Sequence, residues 1–265
     1  MDSSLLIYLA LGSVVGILAG LFGVGGGVIV VPALLFTFHR LGIPDETLMH
    51  IAIGTSNATI IVTSISSSLA HHKRGSIDWN TLKNMLPGII AGALLIGPIL
   101  ANWLPAQQLR SFFAVFLLII SFKMILNINP KSKHPYPPRR VLIGAGSVIG
   151  TLSSMLGIGG GAMTVPFLSW RGVEIRQAVG TSSACGLPIA LASTVGFIIN
   201  GWNQTDLSSG QLGYVYLPAF FGIVVASFVT AKLGAMLAHH LPTQSLRRGF
   251  GILLLAVSLK ILFFS

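Results

Sequence analysis

Apolar residues run through this chain in long blocks with short polar breaks between them. The blocks fall near 5–38, 48–70, 84–103, 109–128, 140–169, 177–200, 212–237 and 248–264. About 20 apolar residues make one helical crossing of a bilayer, so the pattern predicts an all-α integral membrane protein. Two blocks, 5–38 and 140–169, are long for one span, and glycines interrupt both. These are Gly23, Gly25, Gly26 and Gly27 in the first, and Gly157, Gly159, Gly160 and Gly161 in the second. Three glycines in a row disfavour a continuous helix by about 1 kcal/mol each relative to alanine. Irregular backbone at membrane depth is tolerated only where protein buries it or where it lines a cavity. Each long block is therefore expected to break at its glycines, with new helices starting at Val28 and Ala162. The longest polar stretch, NINPKSKHPYPPRR from Asn127 to Arg140, reads as an extended linker.

The chain repeats itself. GSVVGILAGLFGVGGGVIVVPALL at 12–35 aligns without gaps with GSVIGTLSSMLGIGGGAMTVPFLS at 146–169, and half of the positions are identical. Pro32 and Pro166 follow the glycines at the same offset. AIGTSNA at 52–58 answers AVGTSSA at 178–184, Trp79 answers Trp202, and LANWLPAQQLR at 100–110 answers LAHHLPTQSLR at 237–247. Two halves, 1–129 and 130–265, therefore share one segment order and together form one domain. Such repeats are a common construction of secondary transporters.

Composition narrows the class. Hydrophobic residues make up 53% and charged residues 8%, with a mean hydropathy of +0.84. Soluble proteins carry roughly a quarter charged residues, so a soluble domain, disorder, collagen and a disulfide scaffold are all excluded. The single cysteine, Cys185, allows neither an internal disulfide nor a cysteine metal cluster. The N-terminus, MDSSLLIYLA, has no basic leader region and reads as the start of the mature chain. The net charge of +10 does not indicate nucleic acid, because the basic residues sit between apolar blocks as the positive-inside rule places them. The lipid bilayer is the partner they imply.

Charge also discriminates topologies. Eight full spans in parallel repeats would leave the basic residues almost evenly divided. If the first block of each half is instead a re-entrant hairpin followed by three crossings, the halves are inverted. The cytoplasmic side then collects Lys73, Arg74, Lys83, Lys123, Lys131, Lys133, Arg139, Arg140, Arg171, Arg176, Lys232, Arg247 and Arg248. Only Arg40, Arg110 and Lys260 remain outside, with Asp2, Asp45, Glu46 and Asp206. Two inverted repeats, each a glycine-broken re-entrant hairpin plus three transmembrane helices, are the expected fold.

The candidate chemistry lies in two duplicated motifs. Gly25-Gly26-Gly27 and Gly159-Gly160-Gly161 let backbone approach a ligand closely, and a helix starting just after them turns free N–H groups toward an anion. Against this stands simple packing, through the G-x-x-x-G ladder of Gly12, Gly16 and Gly20. Thr55-Ser56-Asn57 and Thr181-Ser182-Ser183 offer hydroxyl and amide donors, or else satisfy their own helices. An intramembrane serine hydrolase using His71 or His72 is disfavoured, because the serine is duplicated and no histidine is duplicated with it. No catalytic residue, cofactor or metal site is expected. Histidine pairs lack a carboxylate at metal spacing, and His71-His72-Lys73-Arg74 reads as a helix C-terminus. Cys185, Met155 and Met163 read as packing residues. Arg110 with Arg247, and Lys123 with Lys260, read as snorkelling cations or a basic vestibule. No Asp or Glu lies inside a predicted span, which removes the usual carboxylate relay and disfavours a cationic substrate.

The patterns GLFGVGGGVIVVPAL at 20–34 and MLGIGGGAMTVPFL at 155–168, each followed by Gly-Thr-Ser, resemble the sulfite exporter TauE/SafE family of membrane permeases. The resemblance implies movement of small sulfur oxyanions or organosulfonates, such as sulfite or thiosulfate, across the prokaryotic inner membrane. It places the family motif on Gly25, Gly26, Gly27 and Pro32, and on Gly159, Gly160, Gly161 and Pro166. An anion channel is the alternative within transport. Coupling ion, direction and oligomeric state are not specified by these residues.

Overall fold

The computed structural model describes residues 3–22, 26–126, 137–204, 210–238 and 243–263. Gly23, Gly25, the linker residues 127–136, Asp206 and His239-His240 lie outside the described residues.

The chain is helical almost throughout. In order it forms α1 (Ser3–Phe22), α2 (Gly27–Arg40), α3 (Asp45–Lys73), α4 (Trp79–Ile90), a π-helical turn (Ala91–Ile96), α5 (Gly97–Trp103) and α6 (Ala106–Ile125). The second half follows with α7 (Arg139–Leu156), α8 (Gly161–Trp170), α9 (Ile175–Gly201), a hairpin of β1 (Gln211–Leu212) and β2 (Val215–Tyr216), α10 (Leu217–Ala238) and α11 (Thr243–Phe263). Four helical stretches, Asp45–Lys73, Trp79–Trp103, Ala106–Ile125 and Arg176–Gly201, are each long and apolar enough to cross a membrane. Together they make a multi-pass, all-α membrane protein.

Both long apolar blocks break where the glycines predict. Gly26 (φ 76°) and Gly160 (φ 81°) are left-handed and stand immediately before α2 and α8. A residue with a β-carbon is strained there. The new helices start at Gly27 and Gly161, one residue ahead of the expected Val28 and Ala162, because Gly26 and Gly160 already offer their carbonyls to the first turns. The far ends match as well: Ile43 N–H bonds Phe38 O at 3.2 Å, and Val173 N–H bonds Leu168 O at 3.1 Å. The π-helical turn and the hairpin left no mark in the apolar pattern. The turn precedes Pro98, which has no N–H to continue an α-helical ladder.

Water is absent from the bilayer core, so helices there associate by close packing and polar contacts more than by the hydrophobic effect. Small residues provide that closeness. On α1, Gly12 faces Ile223 and Ala226 while Gly16 faces Ser227 and Thr230 of α10; Tyr8 faces Gly222. The residue numbers rise together, so α1 and α10 run parallel. On α7, Gly146 faces Met85 and Ile89, and Gly150 faces Ile89 and Ala93. Gly88 and Gly92 meet α7 in return, so α7 runs parallel to α4. The packing role weighed for Gly12 and Gly16 is thus observed. By contrast, α3 and α9 run antiparallel, with Ser64 against Gly186, Ser68 bonded to Ser183, and Ser76 against Gly180. α6 packs on α11, where Gly251 meets Ser121 and Ile125. Met155 and Cys185 are buried in the apolar core, and Met163 packs against it.

Two substitutions on α7 test this packing. A β-carbon on Gly146 collides with the Met85 carbonyl, whereas one on Gly144 meets nothing within 4 Å. Both cost the same helix propensity change, so Gly146→Leu alone carries the overpacking cost of about 1–3 kcal/mol or more. The expected result is a melting temperature in detergent several degrees below the parent for Gly146→Leu and near the parent for Gly144→Leu.

Candidate functional site at the two helix breaks

The two breaks touch. A β-carbon on Gly27 would collide with the Gly157 carbonyl and stand 2.9 Å from the Ile158 α carbon. Gly157 (φ 64°) in turn approaches the Ile53 carbonyl and the Ser56 β-carbon, both at 3.3 Å from its own β-carbon position. α3 passes on one side, where Ile60 covers Gly27 and Gly159, and α9 passes on the other, where Gly186 meets the Gly159 carbonyl. The start of α2 therefore lies against the residues that lead into α8. Gly26 O accepts from Ile29 and Val30, and Gly160 O accepts from Met163 and Thr164. The first N–H groups of α2 and α8 precede any possible intrahelical acceptor and face back into the breaks with the positive ends of the helix dipoles.

The Gly-Thr-Ser segments are anchors for these breaks. Thr55 Oγ1 accepts the Tyr216 N–H at 2.9 Å, at the entry to α10, and Thr181 Oγ1 accepts the Asp78 N–H at 2.9 Å, at the entry to α4. Gly54 and Gly180 leave room for the Tyr214 and Ser76 carbonyls beside them. One motif thus performs the same tie in both halves. Ser56 Oγ donates to Gly157 O at 2.8 Å, and Asn57 Nδ2 donates to Ser154 O at 3.1 Å; Asn57 Oδ1 is buried without a partner. Ser182 is buried. Ser183 Oγ donates to Val179 O on its own helix at 3.0 Å and accepts from Ser67 Oγ at 3.1 Å.

Of the residues expected from sequence, Gly26, Gly27, Ser56, Asn57, Gly159, Gly160 and Gly161 are gathered at the breaks, while Gly25 lies outside the described residues. Thr55 and Thr181 hold neighbouring loops, and Ser183 sits in a serine cluster between α3 and α9. Ser56 faces a carbonyl, and His71 Nδ1 is engaged with Ser76 Oγ at 3.0 Å, so the hydrolase pairing is not formed.

Several buried polar groups carried no duplicated signal. Ser154 Oγ donates to Ala93 O at 3.1 Å and lies 2.8 Å from Ser193 Oγ, and Thr151 Oγ1 donates to Gly92 O at 3.4 Å. These hydroxyls serve carbonyls of the π-helical turn. Ser153 Oγ and Thr164 Oγ1 are wholly buried and have no partner, and both face Gly160. His50 lies near one end of α3 with Nε2 2.9 Å from Ala101 O, so Nε2 carries the proton; the ring stacks on Tyr214 at 5.2 Å. A histidine four residues ahead of Gly54 inside an apolar block was its only sequence signal.

Charges stay away from the breaks among the described residues. Asp45 and Glu46 are exposed in the first turn of α3, and Asp78 caps α4 through Asn80 and Thr81 N–H. His71, His72 and Lys73 occupy the last turn of α3, as read from sequence. Lys260 stands 4.2 Å over the Phe36 ring and Arg171 4.8 Å over Trp170, each a cation on an aromatic face.

The family model described as Sulfite exporter TauE/SafE matches residues 8–261. The chain belongs to this family. It is similar to a probable membrane transporter protein of Haemophilus influenzae, 38% identical over 262 residues that cover 98% of both chains. A second relative, from Methanocaldococcus jannaschii, is named in the same way and is 30% identical over 91% of this chain and 89% of its own. YunE of Bacillus subtilis, also named a probable membrane transporter protein, is 26% identical over 98% of each. The match takes in both glycine breaks and both Gly-Thr-Ser segments of this TauE/SafE protein.

The loop ties give a direct test. Thr55→Val and Thr181→Val keep the side-chain shape and strip the acceptor from a backbone N–H, which costs about 1–3 kcal/mol when that group is left unsatisfied. Each variant is expected to melt several degrees below the parent in detergent, and parental melting in both would show that these bonds do not hold the loops.

Proposed function

We propose that this chain is a permease, not an enzyme, that carries small sulfur-containing oxyanions or organosulfonates across the prokaryotic inner membrane. Residues 1–129 and 130–265 are two inverted repeats of one transport domain, and the substrate sits between them at the helix breaks. The single observation that carries the proposal is the contact between the two breaks, Gly27 on Gly157, in a chain of the sulfite exporter TauE/SafE family.

Inversion is supported by the antiparallel course of the corresponding helices α3 and α9, and by the charge distribution along the sequence. The reciprocal parallel pairs, α1 with α10 and α7 with α4, are the contacts a two-fold relation between halves produces. Re-entrant hairpins are supported by length. α2 and α8 have 14 and 10 residues, about 21 and 15 Å at 1.5 Å per residue, against about 30 Å of hydrocarbon. Eight full spans would make α1 with α2, and α7 with α8, one crossing each, about 51 and 42 Å of helix for about 30 Å of hydrocarbon.

The chemistry suits an anion. Free N–H groups at the starts of α2 and α8 and nearby hydroxyl and amide donors replace part of the ion's hydration, and among the described residues no carboxylate is buried to repel it. Tight binding by full charge pairing would hinder release, so neutral donors fit a carrier. Rocking of one half against the other then exposes the breaks alternately to either side.

Flux into proteoliposomes holding purified protein tests the proposal, with sulfite, thiosulfate, sulfate and a simple sulfonate offered in turn. Saturable flux of a sulfur anion is expected. Gly26→Val and Gly160→Val, each forcing a β-branched residue into a left-handed conformation at a helix start, are expected to lower it at least tenfold in protein that elutes as folded. Parental flux in both variants would refute the site.

A further inference from the structure

The two breaks share their glycines and prolines, yet they do not share their hydroxyls. In the ungapped alignment of 12–35 with 146–169, Ser153 stands opposite Ala19 and Thr164 opposite Val30. The second break therefore carries two hydroxyl groups where the first carries hydrocarbon. Both are fully buried, Ser153 at 0% and Thr164 at 0% exposure, and neither Oγ has a hydrogen-bond partner. Nearby, Ser56, Thr151 and Ser154 each reach a carbonyl within 3.4 Å, while Ser169 Oγ and Thr194 Oγ1, like these two, have no partner.

The orphaned oxygens converge. Measured from the β-carbon position of Gly160, Thr164 Oγ1 lies at 3.6 Å and Ser153 Oγ at 3.7 Å. Helical side chains tilt toward the N-terminus, so Thr164, one turn into α8, lays its hydroxyl over the first turn, where the N–H groups lack acceptors. Ser153 supplies the facing wall from the last turn of α7. The Ile189 Cδ1 methyl closes the space above Gly160, and it is the far end of a flexible side chain. A buried hydroxyl without a partner costs stability, so two of them beside one free helix start point to a ligand that accepts their protons.

We propose that the anion seat is one-sided: Ser153, Thr164 and the first N–H groups of α8 hold the oxyanion, and the first break serves as its packing wall. This rests on the permease proposal and narrows its anion seat from both breaks to the second one. The ligand has at least two acceptor oxygens on one small anionic centre, and Ile189 must swing aside to admit it.

The test uses full-length protein, with sulfite as the probe together with whichever of the other three anions the parent transports. Ser153→Ala, Thr164→Val and the double variant are compared with Ser121→Ala, whose buried hydroxyl bonds its own helix at Leu118 O. Two readouts are taken, the KM of flux and the melting temperature with and without anion. Hydrogen bonds to a charged group are worth about tenfold or more in affinity. The proposal expects KM at least tenfold higher in the double variant, with parental KM in Ser121→Ala. It also expects ligand-free melting at or above the parent, because an orphaned hydroxyl has been removed, with the anion-induced rise in melting temperature lost. A merely structural hydroxyl would instead lower ligand-free melting and leave the anion-induced rise intact, which would overturn the proposal. Parental KM in the double variant would overturn it while leaving the permease proposal standing. Absence of flux of all four anions in the folded parent would overturn both. Should the double variant fail to fold, Thr164→Ser, which keeps the hydroxyl and removes only a methyl, must retain parental KM while Thr164→Val does not; equal KM in the two would overturn the proposal.

Discussion

The contact of Gly27 with the Gly157 carbonyl is the constraint on which the rest of the structure depends. A broken helix inside a bilayer strands backbone N–H and C=O groups where water cannot reach them, at a cost of several kcal/mol each. This chain handles two such breaks by setting them against each other. Ser56 takes up the Gly157 carbonyl and Asn57 the Ser154 carbonyl, so residues of the first half complete the break of the second. Only glycine permits the approach, since a β-carbon on Gly27 would meet the opposing backbone from the same short distance. The first N–H groups of α2 and α8 carry partial positive charge. The anion preference proposed for the site rests on the polarity of these helix starts.

Holding the breaks in contact is the task of everything around them. α3 and α9 cross beside them as an antiparallel pair and carry the Gly-Thr-Ser segments, whose threonines tie down the residues leading into α10 and α4. Those helices in turn carry α1 and α7 in their glycine grooves. Each half therefore packs against the first helix of the other.

Much of this was legible in the sequence because glycine and apolar length are strong signals in a membrane. The eight blocks, the two breaks and the packing role of Gly12 and Gly16 follow from hydropathy and spacing alone. The Gly-Thr-Ser motif reads as a possible donor set, but the loops bonded to Thr55 and Thr181 lie 161 and 103 residues away in sequence, and no local pattern reveals such a partner. The π-helical turn has no sequence signature beyond Pro98, and the α7 hydroxyls that bond its carbonyls lie 59 and 61 residues away in the chain. Ser153 and Thr164 carry no repeat signal, because they stand opposite Ala19 and Val30 where the two halves differ. His50, buried against Ala101 O and Tyr214, was lost among apolar neighbours that give a lone polar residue no period.

In the proposed arrangement the halves are oppositely oriented and their breaks meet at the middle of the membrane. Leu41 and Glu174 test it most directly. Each is exposed in the corresponding turn of its half, between α2 and α3 or between α8 and α9. In a Cys185→Ala background, Leu41→Cys and Glu174→Cys are treated in intact cells with a maleimide that does not cross the membrane. Leu41→Cys is expected to be labelled from outside, and Glu174→Cys only after the membrane is opened. Labelling of both from the same side would show that the halves are not inverted.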